Sequence, residues 1–468
     1  MRSLLKADVK DIQNRLWQPL IILPLLFYSV SCSAQSSDKT YTVVDYFWAA
    51  LISHPELETG ESIEWIRANW RDEFLPYFIE IIRYGGRYPG SAKLLKLLEE
   101  KIGSETDINY HSFIQYLWSQ DIENTPSYAI FKQLIHAPID ARFAAYFDPS
   151  RQFNIRLDEI LWGGVQQDGI PPLREPEMIP AKEANYLDET NVVFGIKING
   201  DARAYPKRIL AWHEMFVDTV GGIPVAGVYC TLCGTVAIYE TTYKGVNHKL
   251  GTSGFLYRSN KLMYDKATQS LWSTMEGEPV AGPLTEHDIT LSHHSVVTTT
   301  WGEWKKRHPN TSVLSLNTGH ERNYDEGRAY REYFATDQRM FETPYHDKRL
   351  KNKDEVLALR FGNEIAEPTV IAVNFLAKQP VYEDTLDGTS YVILTDSSGA
   401  NRAYTRPSEL RFKSWDQSTS VIDMNGDLWT LTEAALTKED GTMLKRLETH
   451  RSFWFGWHSA FPETILIK

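Results

Sequence analysis

The sequence predicts an α+β protein in which a helical N-terminal domain precedes two tandem, related β-rich units. Three observations lead to this prediction. Apolar residues recur at helical spacing before residue 150, short β-like runs separated by turn residues follow residue 155, and a series of motifs occurs twice in the same order. The predicted boundaries are 40–150 for the helical domain, 155–316 for the first β-rich unit and 354–468 for the second.

The length and composition are those of a globular chain with more than one domain. The 468 residues exceed what one hydrophobic core usually organises, so two or three domains are expected. Apolar residues account for 42% and charged residues for 24%, a balance that argues against wholesale disorder. A net charge of −12, without a long basic run, disfavours binding to phosphate backbones. Nucleic acid is therefore not an expected partner.

Residues 1–34 have the pattern of an export signal. Basic residues precede an apolar run at 19–30, which is too short for a membrane-spanning helix of roughly 20 residues. The run ends in Ser29-Val30-Ser31-Cys32, and small residues before a cysteine resemble a bacterial lipoprotein processing site, although Leu usually stands where Ser29 is. Acylation of Cys32 is therefore predicted. The alternatives are ordinary cleavage after Ala34 and an uncleaved anchor.

A lipidated Cys32 would place the protein in the cell envelope. Acyl chains tether a protein to a membrane surface without spanning it, here at the periplasmic or the outer-membrane face. The membrane surface is then one partner, and a small-molecule or protein partner stays open. Cys230 and Cys233 are the two other cysteines of the sequence, so a scaffold of many disulfides is excluded.

The helical domain at 40–150 is predicted from three apolar clusters with helical spacing. These are Phe74, Leu75, Phe78, Ile79 and Ile82; Leu94, Leu95, Leu98 and Ile102; and Phe113, Ile114, Leu117 and Trp118. Ser91 is predicted to cap the second helix and Gly103 to end it. No chemistry is predicted for this domain.

The β-rich part begins after a segment at 161–176 that is rich in Gly and Pro. The run VVFGIKI is followed by Asn199-Gly200, a strong hairpin signal, and the run IPVAGVY is followed by the cysteine pair. An internal repeat, with copies at about 189–316 and 354–468, supports two units. The matching motifs include Trp301-x-x-Trp304 with Pro309-Asn310-Thr311, and Trp454-x-x-Trp457 with Pro462-Glu463-Thr464.

The two copies differ at three positions that suit chemistry. His213 aligns with Gln379, Cys230 with Thr395, and Cys233 with Ser398. The second copy thus keeps the aromatic and turn residues of the framework but lacks all three soft ligands. This joint loss predicts that His213, Cys230 and Cys233 form one site, and that the second unit is structural.

Several motifs, taken in order, resemble a bacterial family of exported proteins known as domain of unknown function 3179. The segments that carry the resemblance are RFAAYFDP at 142–149, DGIPPL at 168–173, NGDARAYP at 199–206, WHE at 212–214, DTVGG at 218–222, YCTLCG at 229–234, LMYD at 262–265 and SLWS at 270–273. Proteins of this family usually have Pro after the first cysteine, where this chain has Thr231. The resemblance implies membership and almost no function.

A Cys-x-x-Cys-Gly sequence is well suited to holding a metal, because two intervening residues let both sulfurs face one point. Two thiolates and the imidazole of His213 favour copper or zinc, and an open coordination position would permit catalysis. Glu214 and Asp265 are the candidate acid–base or supporting groups. The first hypothesis is therefore an exported metal-binding lipoprotein, either a metalloenzyme or a metal-handling factor.

Two other hypotheses stay open. In one, the cysteines form the redox centre of an extracytoplasmic thiol–disulfide oxidoreductase, although such pairs usually lie at a helix N-terminus rather than between two β-like runs. In the other, they form a structural disulfide in a binding or scaffold lipoprotein. Tyr257, Ser259 and Asn260 are candidate pocket residues, and a turn with packed aromatic residues would explain them equally well.

Overall fold

The computed structural model describes residues 40–52, 54–84, 88–103, 109–361 and 368–468. The predicted signal segment and Cys32 lie outside these residues. The described chain is α+β, with a helical N-terminal region followed by β-sheets, as predicted. Among the described helices, none is both long enough and apolar enough to cross a membrane.

Helices dominate the chain as far as residue 146 and are short beyond it. The α-helices are α1 (Val43–Leu51), α2 (Thr59–Ala68), α3 (Leu75–Tyr84), α4 (Ser91–Ile102), α5 (Tyr110–Trp118), α6 (Pro126–His136), α7 (Phe143–Tyr146), α8 (Lys207–His213), α9 (Trp301–Arg307), α10 (Arg331–Phe334), α11 (Val373–Leu376) and α12 (Trp454–Ala460). Helix α4 begins at Ser91 itself, so Gly90 is the capping residue and the prediction of Ser91 was one position off. Gly103 ends α4 as predicted, with a φ of 86°.

The helical region shares its core with the first unit. Phe47, Phe78 and Phe131 are fully buried in a cluster that also contains Phe255 and Leu271 from the β-rich part. The amphipathic helices therefore bury their apolar faces against a sheet as well as against each other.

Three sheets form the first unit. Sheet I has the order β16-β4-β5-β17-β3, sheet II the order β15-β8-β7-β6-β2, and sheet III the order β1-β11-β12-β13-β14. Their strands are β1 (Ile160–Trp162), β2 (Leu173–Arg174), β3 (Met178–Pro180), β4 (Val192–Ile198), β5 (Asp201–Pro206), β6 (Met215–Val220), β7 (Ile223–Cys230), β8 (Thr235–Glu240), β11 (Leu250–Tyr257), β12 (Asn260–Asp265), β13 (Leu271–Ser273), β14 (Pro279–Ala281), β15 (His293–His294), β16 (Val297–Thr300) and β17 (Ser312–Leu314), with a small ribbon of β9 (Thr242–Tyr243) and β10 (Val246–Asn247).

Two sheets form the second unit. Sheet IV has the order β28-β18-β19-β29, and sheet V the order β20-β21-β22-β27-β26-β25-β24-β23. The strands are β18 (Glu355–Leu359), β19 (Thr369–Ala372), β20 (Val381–Leu386), β21 (Thr389–Thr395), β22 (Asn401–Thr405), β23 (Phe412–Trp415), β24 (Ser420–Asp423), β25 (Leu428–Leu431), β26 (Ala435–Lys438), β27 (Met443–Leu447), β28 (Thr449–Phe453) and β29 (Ile465–Ile467).

The two units share a strand arrangement that matches the sequence repeat. In sheet I, β16 and β5 flank β4 antiparallel to it, and β17 pairs with β5 in parallel after the crossover helix α9. In sheet IV, β28 and β19 flank β18 in the same way, and β29 pairs with β19 in parallel after α12. This common topology supports the relation between the units that the paired motifs predict.

One hydrogen-bond pair recurs in both units and explains part of the repeat. The indole N–H of Trp304 donates to Thr311 Oγ1 at 3.0 Å, and that of Trp457 donates to Thr464 Oγ1 at 2.9 Å. Each threonine hydroxyl in turn donates to a backbone carbonyl, of Ala202 at 2.9 Å and of Pro368 at 2.6 Å. The repeated Trp and Thr therefore tie each crossover helix to its own sheet.

We expect Thr311→Val and Thr464→Val each to lower the free energy of unfolding by about 1–3 kcal/mol, because each leaves a buried indole N–H without an acceptor. Thr430, on an exposed face of β25, is a matched control whose change to Val should alter stability by less than about 0.5 kcal/mol. Urea unfolding followed by tryptophan fluorescence measures these values. Equal stability of Thr311→Val and the control would contradict the assigned role.

Candidate functional site

The cysteine pair lies in a tight hairpin loop, the knuckle, defined as Cys230–Gly234. The loop joins β7 to β8 at the end of their ladder, where Cys230 is paired with Thr235. Cys230 and Cys233 form a disulfide whose Cα atoms are 5.5 Å apart, and both residues are buried. Gly234 has a φ of 65°, and a Cβ there would lie 2.6 Å from the Phe453 ring, so both the turn and its packing require glycine.

The second unit forms one wall of the knuckle. The amide of Phe453 donates to the Cys233 carbonyl at 2.8 Å, and the hydroxyls of Thr235 and Ser452 are 2.9 Å apart. A Cβ at Gly456, in α12, would lie 2.6 Å from Cys233 Cβ. The site is therefore built at the contact between the units, although both cysteines belong to the first.

A buried ion pair lies directly beside the knuckle. Glu214 follows α8 in a left-handed conformation with a φ of 56°, and its carboxylate pairs with Lys261 of β12. The two residues are 4% and 6% exposed. The hydroxyls of Thr231 and Tyr330 donate to Glu214 Oε1 at 2.5 and 3.0 Å. The carboxylate is thus connected to the knuckle through Thr231, the residue after Cys230.

Burial perturbs the groups around the ion pair, and Lys261 Nζ has only its ion pair with Glu214 and no hydrogen bond to a described residue. Burial lowers the pKa of the Lys261 ammonium, and the neighbouring Glu214 carboxylate opposes that shift. Burial, together with the negative charge of Glu214, raises the pKa of the Tyr330 phenol well above its usual range. Tyr330 therefore stays protonated and serves as a hydrogen-bond donor. A non-glycine residue at positive φ is energetically unfavourable, and such residues often mark functional sites.

The segment between the units covers the knuckle from the outside. Tyr333 of α10 donates its hydroxyl proton to the Leu232 carbonyl at 2.6 Å. Phe334 and Phe341 pack against the apolar cluster that contains both cysteines. Lys353 donates to the carbonyl of Thr336 at 2.7 Å and also to that of Tyr333, which fixes the end of α10. The disulfide is consequently closed off from solvent by α10 and the residues that follow it.

His213 does not join the cysteines. Its Nδ1 is 2.9 Å from the Pro171 carbonyl, which can only accept, so Nδ1 carries the proton. Its Nε2 is 2.5 Å from the Tyr324 hydroxyl and accepts from it. Nε2, the ring nitrogen that could bind a metal, is therefore occupied by a hydrogen bond. Burial lowers the pKa of His213 to about 4.

The other predicted residues have separate positions. Asp265 accepts from the amides of Ala267 and Thr268 at 3.0 and 2.8 Å, so it organises the turn after β12. Its repeat counterpart Asp423 accepts from the amides of Asn425 and Asp427 in the same way, at 2.9 and 3.0 Å. These contacts favour a framework role. Asp265 also lies five residues along the strand from Asn260, a distance of about 16 Å.

The three pocket candidates lie at a two-residue hairpin turn, with Tyr257 and Asn260 flanking it and Ser259 within it. Arg258 and Ser259 both have positive φ between β11 and β12, a type I′ arrangement. The Tyr257 ring packs under the Arg258 guanidinium at 4.9 Å, and the buried Ser259 hydroxyl has no hydrogen-bond partner among the described residues. Asn260 is the one of the three that reaches the knuckle wall, because its amide donates to the Gly456 carbonyl at 2.9 Å.

The predicted copper or zinc site is not assembled in this state of the protein. Both sulfurs are engaged in the disulfide, and the described residues contain no group of three His, Cys, Asp or Glu side chains arranged to hold a metal ion. A metal requires free thiolates, so Cys230, Cys233 and His213 do not fit copper or zinc as they are arranged here. The metal hypothesis stays a prediction for the reduced protein.

The sequence did not predict the three residues that contact the Glu214 carboxylate, which are Lys261, Thr231 and Tyr330. Lys261 has a detectable signal, since it is the one charged residue in the run NKLMY and directly follows Asn260. Thr231 drew attention only as a departure from the usual Pro. Tyr330 lies in the segment between the units, where the sequence has no pattern that predicts a contact with Glu214.

The fold and the site define an α+β protein of two related β-rich units with a buried Cys-x-x-Cys disulfide between them. A family model described as a protein of unknown function (DUF3179) matches residues 167–464. This range covers most of both units and more than half of the chain, and the chain belongs to that family. No curated protein and no solved structure matches the chain.

Because His213 is buried and neutral, the free energy of unfolding should depend on pH. Its pKa is about 4 in the folded protein, below the ordinary 6.5, so between these values the unfolded chain binds a proton that the folded chain does not. Stability should therefore fall as the pH falls through this window. We expect His213→Gln, which introduces the residue found at Gln379, to lose less unfolding free energy than the wild type between about pH 7 and about pH 4.5.

The measurement is urea unfolding at both pH values. His287→Gln, at an exposed histidine, is the matched control and should lose as much stability on acidification as the wild type. An acid loss in His213→Gln equal to that of the control would show that His213 is not the titrating group.

Proposed function

We propose that this chain is an exported, lipid-anchored thiol–disulfide redox protein in which Cys230 and Cys233 cycle between disulfide and dithiol. The observation that carries the proposal is the position of the disulfide beside the buried Glu214–Lys261 ion pair. Aligning Asp265 with Asp423 places Thr419 at the position of Lys261, so the second unit lacks this cation as well as the cysteines. The ion pair and the disulfide occur together in one unit and are absent together from the described part of the other.

Reduction of the disulfide needs two electrons and two protons. A partner dithiol supplies the electrons, first as a thiolate that attacks one sulfur and forms a mixed disulfide, then through its second thiol, which releases the chain as a dithiol. Because Cys230 and Cys233 are buried, protons have to reach the sulfurs through neighbouring polar groups. In this proposal Thr231 and Glu214, which share a hydrogen bond beside Cys230, would form this route, and Lys261 would balance the charge.

Access to the disulfide requires displacement of its cover. Tyr333 and Phe334 of α10 contact the knuckle and its apolar surroundings, and α10 is only four residues long. Short, irregular segments open at lower free energy than sheet cores. In this proposal the partner approaches from the side of α10. The disulfide then becomes accessible without disruption of the sheets of either unit.

A second candidate, metal binding by the reduced pair, rests on a different observation. The amide of Cys233 points to Cys230 Sγ at 3.4 Å, and Gly234 follows at positive φ. N–H groups directed at a sulfur stabilise a thiolate, which is the form that copper and zinc bind. This candidate needs reduction first and at least one ligand besides the two cysteines.

The redox proposal predicts that the cysteine pair has a reduction potential between about −270 and −120 mV, the range of catalytic disulfides. Thiol trapping in glutathione buffers of graded potential, followed by mass spectrometry, measures it. A potential below about −300 mV would identify a structural disulfide instead and overturn the proposal. Copper and zinc analysis of the reduced protein, prepared without chelators, tests the second candidate in the same samples.

Glu214→Gln should slow the exchange with dithiothreitol at least tenfold at neutral pH if the carboxylate conducts protons to the sulfurs. The exposed Glu183 is the matched control, and Glu183→Gln should exchange at the wild-type rate. The double variant Glu214→Gln/Lys261→Met removes the unpaired buried charge that would otherwise destabilise the fold. Slow exchange in a double variant that melts like the wild type would assign the effect to proton transfer rather than to unfolding.

Export and lipid anchoring form the second part of the proposal. A disulfide is supporting evidence, because disulfides persist in oxidising compartments outside the cytoplasm. Mass spectrometry of the protein from a Gram-negative envelope should find an acylated Cys32 as the first residue, and Cys32→Ser should lose the acyl group. A mature chain that begins at Gln35 would instead establish cleavage after Ala34 and refute the anchor.

A further inference from the structure

A cavity of about 160 Å³ lies between the two units, away from the knuckle residues. A cavity of about 150 Å³ in another protein holds a benzene molecule, so this volume suits a ligand of a few heavy atoms. The lining is strongly polar and comes from both units. It consists of Gly195, Lys197, His294, Ser295 and Val297 from the first unit and Glu433, Arg446 and Glu448 from the second.

Arg446 is the cation of this cavity whose hydrogen bonds are incomplete. Its side chain is 8% exposed, and its Nη1 donates to the Tyr404 hydroxyl at 3.2 Å. Its Nε is 3.5 Å from Ser295 Oγ, at the limit of a hydrogen bond. Its Nη2 is buried and has no hydrogen-bond partner among the described residues. A buried guanidinium N–H without an acceptor is costly, which indicates that a ligand or solvent supplies one.

The nearby carboxylate does not fill this need. Glu433 accepts from Arg402 Nε at 2.8 Å, and its closest approach to Arg446 is 3.9 Å. Arg402 and Arg307 also share Asp396, at 2.8 and 3.4 Å. Arg402 Nη2 and Arg307 Nε also have no hydrogen-bond partner among the described residues, but both arginines form closer ion pairs. Of the three arginines, Arg446 has the longest ion pair and is the one that lines the cavity.

Some of the other lining residues favour an anion, whereas the two glutamates disfavour one with more than a single charge. His294 Nε2 is buried and has no hydrogen-bond partner among the described residues, although the Glu240 carboxylate lies 3.8 Å from it. The exposed Lys197 brings a second positive charge. Glu433 and Glu448 also line the cavity, so a dianion such as phosphate would be repelled at close range. A planar carboxylate matches the geometry of a guanidinium and has a single charge.

We propose that this cavity binds the carboxylate group of a small molecule, with Arg446 as the principal anchor and Lys197 as a supporting charge. Glu448 offers a partner for an ammonium group, so a small zwitterionic amino acid matches the lining better than a simple carboxylate. The site is independent of the disulfide chemistry. Since each unit contributes lining residues, occupancy would also strengthen the contact between the units.

Isothermal titration of the full chain with alanine, acetate and inorganic phosphate tests this proposal. We expect alanine to bind most tightly and acetate more weakly, with phosphate weakest. Arg446→Gln should weaken alanine binding at least tenfold, and Lys197→Ala about threefold, because hydrogen bonds to charged groups are the strong ones. Lys249→Ala, at an exposed lysine outside the cavity, should bind like the wild type.

Lys197→Ala keeps the proposal testable if Arg446→Gln fails to fold, because Lys197 is exposed and its loss should not affect folding. Absence of alanine and acetate binding to the wild type would overturn the proposal. So would binding that both variants retain at full strength. Phosphate binding tighter than that of either carboxylate would overturn the assignment of the ligand class.

Discussion

The hydrogen bond from the Phe453 amide to the Cys233 carbonyl connects strand β28 of the second unit to the knuckle of the first. It is a backbone contact, so it depends on the register of β28 in sheet IV and of β7 and β8 in sheet II rather than on one side chain. Gly234 and Gly456 allow this approach, since a Cβ at either position would clash with the opposite unit. This contact encloses the disulfide on one side, and α10 with the residues that follow it encloses the other.

The ion pair of Glu214 and Lys261 is the second constraint on the site. A buried ion pair of this kind contributes little net stability, because desolvation of both charges offsets their attraction. Its presence in an otherwise apolar contact therefore calls for another reason. The proposed supply of protons to the sulfurs would be such a reason, and the hydroxyls of Thr231 and Tyr330 hold the carboxylate beside the knuckle. The left-handed backbone of Glu214 is consistent with a residue placed for function rather than for stability.

The sequence predicted the fold class and its helical N-terminal region, because these depend on local periodicity. Motifs that recur at fixed spacing led to the further prediction that the two units are related. Trp304 and Trp457 were identifiable in this way, and their common bond to a threonine shows why the spacing is fixed. The site was only partly predictable. Cys230, Cys233 and Glu214 were found from the motifs around them, whereas Lys261 is contributed by sheet III and Tyr330 by a segment without a pattern.

His213 illustrates the limit of the repeat comparison. Its absence from the second copy together with both cysteines suggested a common role, yet its ring bonds to Pro171 and Tyr324. Tyr324 lies in the segment between the units, which has no counterpart in the repeat. Residues lost together in one copy need not contact each other in the other copy. Each residue can instead depend on a different part of the structure that is present only in the first unit.

The wall that Phe453 and Gly456 form on the knuckle has a consequence for dissecting the protein. A fragment that contained only the first unit would keep both cysteines but would lose one side of their enclosure. The disulfide would then face solvent in the fragment, and its reactivity there would not represent that of the full chain.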